Sequence, residues 1–216
     1  VMELMNKGTL APHSHLMSPK PVPLPRAKIV KIIKCLLNAL AYLHKYGIIH
    51  RDIKPDNIMV GAGDEVKLID FGLASEPRDG PVVESIRCGS RYFSAPEIIL
   101  SDNVPYGTEV DIWSVGMSIL SLLTHPYPEI GHNLEFDTPK DEFKYLLRWS
   151  EGPWSEPVEC GEFTETFLKG CLQWKPERRQ SASHLISTLK ALQPSKDPSR
   201  KLNPKVLRTL DSNMNE

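Results

Sequence analysis

The chain has 216 residues, with 26 basic against 27 acidic side chains and a net charge of −1. That balance does not indicate a basic nucleic-acid face, and no apolar run approaches the ~20 residues that a membrane-spanning helix needs. Hydrophobic residues at 40% and charged residues at 25% are ordinary for a globular protein with one sizeable core.

The first stretch, V-M-E-L-M-N-K-G-T-L, reads as an apolar strand end running into a glycine turn. Residues 11–25 hold five prolines and two histidines, which predicts an irregular connection with a short helix at most, and His13 and His15 as surface residues. From Arg26 to Tyr46 the pattern changes. Ile29, Ile32, Ile33, Leu36, Leu37, Leu40 and Leu43 recur at spacings of three and four, which predicts an amphipathic helix stopped by Gly47.

Next comes I-H-R-D-I-K-P-D-N-I-M-V-G-A-G-D-E-V-K-L-I-D-F-G, residues 49–72. An oxygen-rich loop from His50 to Asn57 leads into the apolar run Ile58 to Val60, a turn at Gly61 to Asp64, and a second apolar run from Val66 to Ile69 that ends on Asp70. This predicts a hairpin that folds Asn57 back beside Asp70, so that their oxygens could share a hard cation such as Mg²⁺. Asp52 and Lys54 lie on the same loop and place a carboxylate and a fixed positive charge near that ion. Metal ligands, a group that orients an attacking hydroxyl and a cation are the set that phosphoryl transfer requires.

Beyond Asp70 the chain is polar and turn-rich through S-E-P-R-D-G-P. Val110 to Leu123 is apolar nearly all round, as a central buried helix should be. Pro139 to Ser150, Phe163 to Trp174 and Ser181 to Leu192 read as three further helices. After Gln193 the sequence becomes polar, which predicts a flexible tail over 193–216. Cys35, Cys88, Cys160 and Cys171 are widely spaced with no C-x-x-C pair, which points to free thiols in a reducing, intracellular setting, cytoplasmic or nuclear.

The ordered motifs resemble those of the eukaryotic-type Ser/Thr protein kinases. His50-Arg51-Asp52 with Asn57 is similar to the catalytic loop, Asp70-Phe71-Gly72 to the metal-binding triplet, and Ala95-Pro96-Glu97, Asp111 and Arg179 follow in the family's order. The resemblance implies a mainly α (α+β) large lobe: a helical bundle with short β-hairpins that carry the catalytic loop and the metal triplet. It implies ATP and Mg²⁺ as cofactors and protein Ser/Thr hydroxyls as substrates, with no nucleic-acid or membrane partner.

Residue by residue, the resemblance gives Asp52, Lys54 and Asn57 catalytic roles, and makes Asn57 and Asp70 metal ligands. Met2, Glu3, Met5, Leu10 and Met59 would surround the adenine. Ser85 would be a phosphate acceptor in the activation segment, Ser90 a bridge to the catalytic residues, and Glu97 the segment's anchor. His50, Arg51, Phe71, Asp111 and Arg179 would be structural. Lys54 two residues after Asp52 is the Ser/Thr rather than the tyrosine pattern. Ser121 stands where kinases that prefer basic substrates carry an acid.

The resemblance covers residues 1–192 and begins at the hinge between lobes. None of the 13 glycines falls in a G-x-G-x-x-G pattern, so the expectation is a kinase large lobe that is nearly inactive by itself. The alternative is a truncated half-kinase that acts as a non-catalytic binding or scaffold module.

Overall fold

The computed structural model describes residues 7–75, 91–100, 105–124 and 161–192. The long helix α1 spans Arg26–Lys45 and buries Ile29, Ile32, Ile33, Leu36, Leu37 and Leu40 along one stripe. It ends because Gly47 turns left-handed at φ +73°, which lets the amides of Gly47 and Ile48 bond back to the carbonyls of His44 and Leu43, both at 3.0 Å.

Strands β1 (Ile58–Val60) and β2 (Val66–Leu68) pair antiparallel, with Ile58 opposite Leu68 and Val60 opposite Val66. The tight turn between them places its left-handed residue at Asp64, φ 57°, rather than at Gly61 or Gly63. Residues 7–10 run along the other edge of β1. Lys7 N donates to Val60 O, Val60 N to Gly8 O, and Leu10 N to Ile58 O, at 2.9 to 3.1 Å. The proline-rich stretch holds a single 3-10 turn, Ala11–His13, and His13 is half-buried rather than free at the surface, with Nδ1 2.7 Å from Val22 O.

Short helix α2 spans Pro96–Leu100, and α3 spans Glu109–Leu123. Every residue of α3 from Val110 to Leu122 is buried, and its one row of polar side chains, Asp111, Ser114, Ser118 and Ser121, is buried with the rest because each is hydrogen-bonded within the protein. Helix α4 (Gly161–Cys171) approaches α3 at Gly116, where an added Cβ would lie 2.7 Å from Cys171 Cβ. Glycine there sets how close the two helices can come. Helix α5 (Ala182–Ala191) starts on Ser181, whose hydroxyl accepts from His184 N at 3.2 Å, and packs on α1 and α4.

The helix expected over Phe163 to Trp174 is displaced, since α4 starts at Gly161 and stops at Cys171. The carbonyls of Gln173 and Trp174 are taken by the Arg179 guanidinium, at 2.8 and 3.2 Å, so the chain leaves the helix to reach it. The remaining expected helix at 139–150 and the tail at 193–216 lie outside the described residues. Cys35 and Cys171 are both free thiols, and burial pushes the Cys171 thiol well above its usual range.

Candidate active site

The loop from His50 to Asn57 joins α1 to β1, and Asp111 at the start of α3 holds its entrance. One carboxylate oxygen of Asp111 accepts from His50 N and His44 Nε2, and the other from Arg51 N, each at 2.9 Å. Asp111 is fully buried, so this three-donor shell replaces the water it has lost. The grip also holds Arg51 in a left-handed conformation, φ 67°, which costs a non-glycine residue about 1 kcal/mol or more.

His50 is fully buried and uses both ring nitrogens. Nε2 lies 3.0 Å from Ile69 O and Nδ1 accepts from Asp52 N at 3.3 Å, which together assign the Nε2–H tautomer. The Phe71 ring meets His50 edge-on, with centroids 4.8 Å apart. One imidazole thus ties the loop to the far end of the hairpin. Ile49 and Ser75 exchange two backbone hydrogen bonds of 2.9 Å and close the other side.

At the centre lies the Asp52 carboxylate. Asn57 Nδ2 donates to Asp52 Oδ2 at 2.9 Å and to Asp52 O at 2.8 Å, and Lys54 Nζ reaches Oδ2 at 2.8 Å. With its nitrogen committed to Asp52, the Asn57 amide offers Oδ1 as an acceptor. Ile69 N bonds Asn57 O at 2.9 Å, so the hairpin brings Asp70 next to the residue opposite Asn57. Asp70 is exposed and itself left-handed, φ 62°, with Oδ1 accepting from Gly72 N at 3.2 Å.

An amide oxygen and a carboxylate are hard donors, too few to cage a metal by themselves, and no cluster of three or more His, Cys, Asp or Glu side chains suited to a metal exists among the described residues. That set fits Mg²⁺, which binds through one or two protein oxygens and completes its shell with phosphates and water. Asp56, beside the loop, has its carboxyl raised above the usual range because burial outweighs the attraction of Lys54.

The other candidates sort clearly. Met59 is half-buried in β1 across from Thr9, while Leu10, at the edge of that strand, is wholly buried. Arg51 extends its guanidinium to Leu73 O and to Tyr106 Oη, the latter at 3.1 Å. Met2, Glu3, Met5, Ser85 and Ser90 lie outside the described residues.

Glu97 and Arg179 meet as a bidentate pair at 2.6 and 2.8 Å, with the Arg179 side chain fully buried over the Trp113 ring. Ser121 presents nothing to a substrate. It is fully buried, donates to Ser118 O at 2.8 Å and accepts from Ser14 Oγ at 2.9 Å. Sequence reasoning missed His44, Ser14 and Tyr106. A histidine in the last turn of α1, just ahead of the loop, was the available signal for the first; nothing local marked the other two.

A family profile described as "Protein kinase domain" matches residues 1–189. Serine/threonine-protein kinase TAO1-A of Xenopus laevis is 32% identical over 86% of this chain and 18% of its own length. Sperm motility kinase 3A of Mus musculus is 44% identical over 72% of the chain and 29% of its own length, and serine/threonine-protein kinase TIO of Arabidopsis thaliana is 37% identical over 72% and 11%. The chain therefore spans less than a third of the length of each of these relatives. No described helix is long and apolar enough to cross a membrane. With a profile match over most of its length and relatives above 30% identity, the chain belongs to the protein kinase domain family.

Proposed function

We propose that the chain is the catalytic-loop and metal-binding part, the large lobe, of an ATP- and Mg²⁺-dependent Ser/Thr protein kinase. The observation that carries this reading is the Asp52 carboxylate, gripped by Asn57 and Lys54 on a loop that the hairpin sets beside Asp70. The Ser/Thr names of the relatives and Lys54 in its position support the choice of acceptor.

In this reading Asp52 accepts a hydrogen bond from the substrate hydroxyl, aims its oxygen at the γ-phosphorus of ATP and takes its proton late in the transfer. Asn57 fixes the rotamer of Asp52 while its Oδ1, with the Asp70 carboxylate, holds Mg²⁺. The ion supplies charge neutralisation on the phosphate oxygens. Lys54 carries a second positive charge to the transferred group, exchanging Asp52 for phosphate. Met59 floors the adenine site, and Leu10 packs below the base. Residues 1–192 form the domain part and 193–216 a tail.

Residues 1–216 contain no glycine-rich phosphate loop, so by themselves they transfer phosphate poorly. Turnover by this stretch alone, abolished by Asp70→Ala, would overturn that statement. The acceptor assignment is tested by presenting the full-length protein with Mg-ATP and matched peptide libraries fixed at Ser, Thr or Tyr. Label on Ser and Thr is expected; label confined to Tyr would refute it.

A further inference from the structure

Helices α1, α4 and α5 line a surface-open pocket of about 150 Å³ that shares no residue with the candidate active site. Its walls are apolar: Leu37 from α1, Phe163 from α4, and Ile186 and Leu189 from α5. Leu37 and Leu189 are buried, so the floor of the pocket is the core itself while its mouth opens to solvent. Three exposed polar residues complete the lining, Lys34 and Asn38 on α1 and Lys190 on α5, and no acidic side chain is among the lining residues. Among the described residues neither ammonium is in an ion pair; Lys34 Nζ lies 5.6 Å from the centroid of the Phe163 ring.

We propose that this cavity is a docking site for an acidic segment of a partner protein that inserts one Phe- or Leu-sized side chain between α1 and α5. Size selects the inserted group. An apolar cavity of roughly 150 Å³ holds a benzene-sized group, which matches one aromatic or branched aliphatic side chain and is too small for a long acyl chain. Charge selects the rest. The two cations come from different helices, so a ligand with a carboxylate on either side of its apolar group can answer both. A short peptide of the form acid, aromatic, acid supplies that spacing, whereas a small aromatic acid answers only one lysine. The apolar anchor in a desolvated pocket with charges at the rim is the usual division of labour in such contacts.

The test is fluorescence anisotropy of a labelled Asp-Glu-Asp-Phe-Asp-Glu-Asp peptide titrated with the full-length protein at low salt. Saturable binding is expected, weakened at least about tenfold by Phe→Ala in the peptide, by Ile186→Trp, which fills the cavity, and by the double charge reversal Lys34→Glu with Lys190→Glu. The reversal lies on exposed positions and leaves the melting temperature unchanged, so it keeps the proposal testable if Ile186→Trp fails to fold. No binding, or equal binding of the Phe→Ala peptide, would overturn the proposal. Binding that emerges only when Leu207 and Leu210 of the tail are replaced by Asp would also overturn it, by making the chain's own tail the occupant.

Discussion

The side-chain amide of Asn57 holds Asp52 twice, through its carboxylate at 2.9 Å and its carbonyl at 2.8 Å. One residue therefore orients the acid of the loop and, in the proposed function, offers its remaining oxygen to Mg²⁺. Replacing Asn57 by Ala should lower phosphate transfer by roughly 10²-fold or more, while stability falls by only about 1 kcal/mol. Steady-state kinetics with varied Mg²⁺, alongside denaturant unfolding, separates the two effects; an unchanged kcat would dismiss the orienting role.

Asp111 receives three donors, from His44, His50 and Arg51. An Asn in its place must turn an NH₂ toward at least one of them, leaving a buried donor unmet. Asp111→Asn is thus expected to cost about 1–3 kcal/mol and to release the left-handed Arg51. Chemical denaturation measures the cost, and a loss below a few tenths of a kcal/mol would contradict the three-donor account.

Arg179 spends its donors on Glu97 and on the carbonyls of Gln173, Trp174 and Glu109. Its side chain is fully buried, so Glu97→Ala strands a charge and is expected to destabilise by about 3–5 kcal/mol. Restoring neutrality with Glu97→Ala plus Arg179→Met should recover part of that loss. A double variant no more stable than Glu97→Ala would show that the guanidinium matters for its carbonyl contacts rather than for its charge.

These pairings mark the limit of what the sequence discloses. The span of α1 follows from its 3.6-residue stripe and Gly47, the burial of α3 from apolar residues on nearly every side of it, and the hairpin from two short apolar runs around a turn. Asp52, Lys54 and Asn57 are neighbours in one loop, so their clustering is local. His44 with Asp111, and Ser14 with Ser121, join positions 67 and 107 residues apart. Periodicity carries no information at that range. The early end of α4 was hidden for the same reason, because the distant Arg179 takes the carbonyls that would have continued the helix.

Asp56 supplies a pH signature. Burial raises its carboxyl in the folded chain above the unfolded value, so the folded state binds the proton more tightly. Stability attached to this group is present below the unfolded pKa and is lost as pH rises through the folded one. Asp56→Asn should therefore raise the melting temperature near neutral pH, and the advantage should vanish in acid. An advantage that grows in acid would reverse the sign and refute the burial argument.

Thiol labelling distinguishes the two described cysteines. Cys171 is fully buried and its thiol is held protonated, whereas Cys35 is partly exposed. At pH 8 a small alkylating reagent should modify Cys35 in the folded protein and reach Cys171 only on unfolding. Equal rates at both would contradict the packing of α4 on α3.

The central claim is that Asp52 and Asp70 serve one Mg²⁺-dependent phosphoryl transfer. The most direct measurement is phosphate transfer from ATP to a Ser/Thr peptide by the full-length protein across a Mg²⁺ titration, with Asp52→Asn and Asp70→Ala as controls. The account predicts Mg²⁺-dependent turnover that drops by about 10²-fold or more in each variant, with Asp70→Ala partly rescued at high Mg²⁺ and Asp52→Asn not rescued at all. Turnover that persists without Mg²⁺, or that survives either substitution, would contradict it.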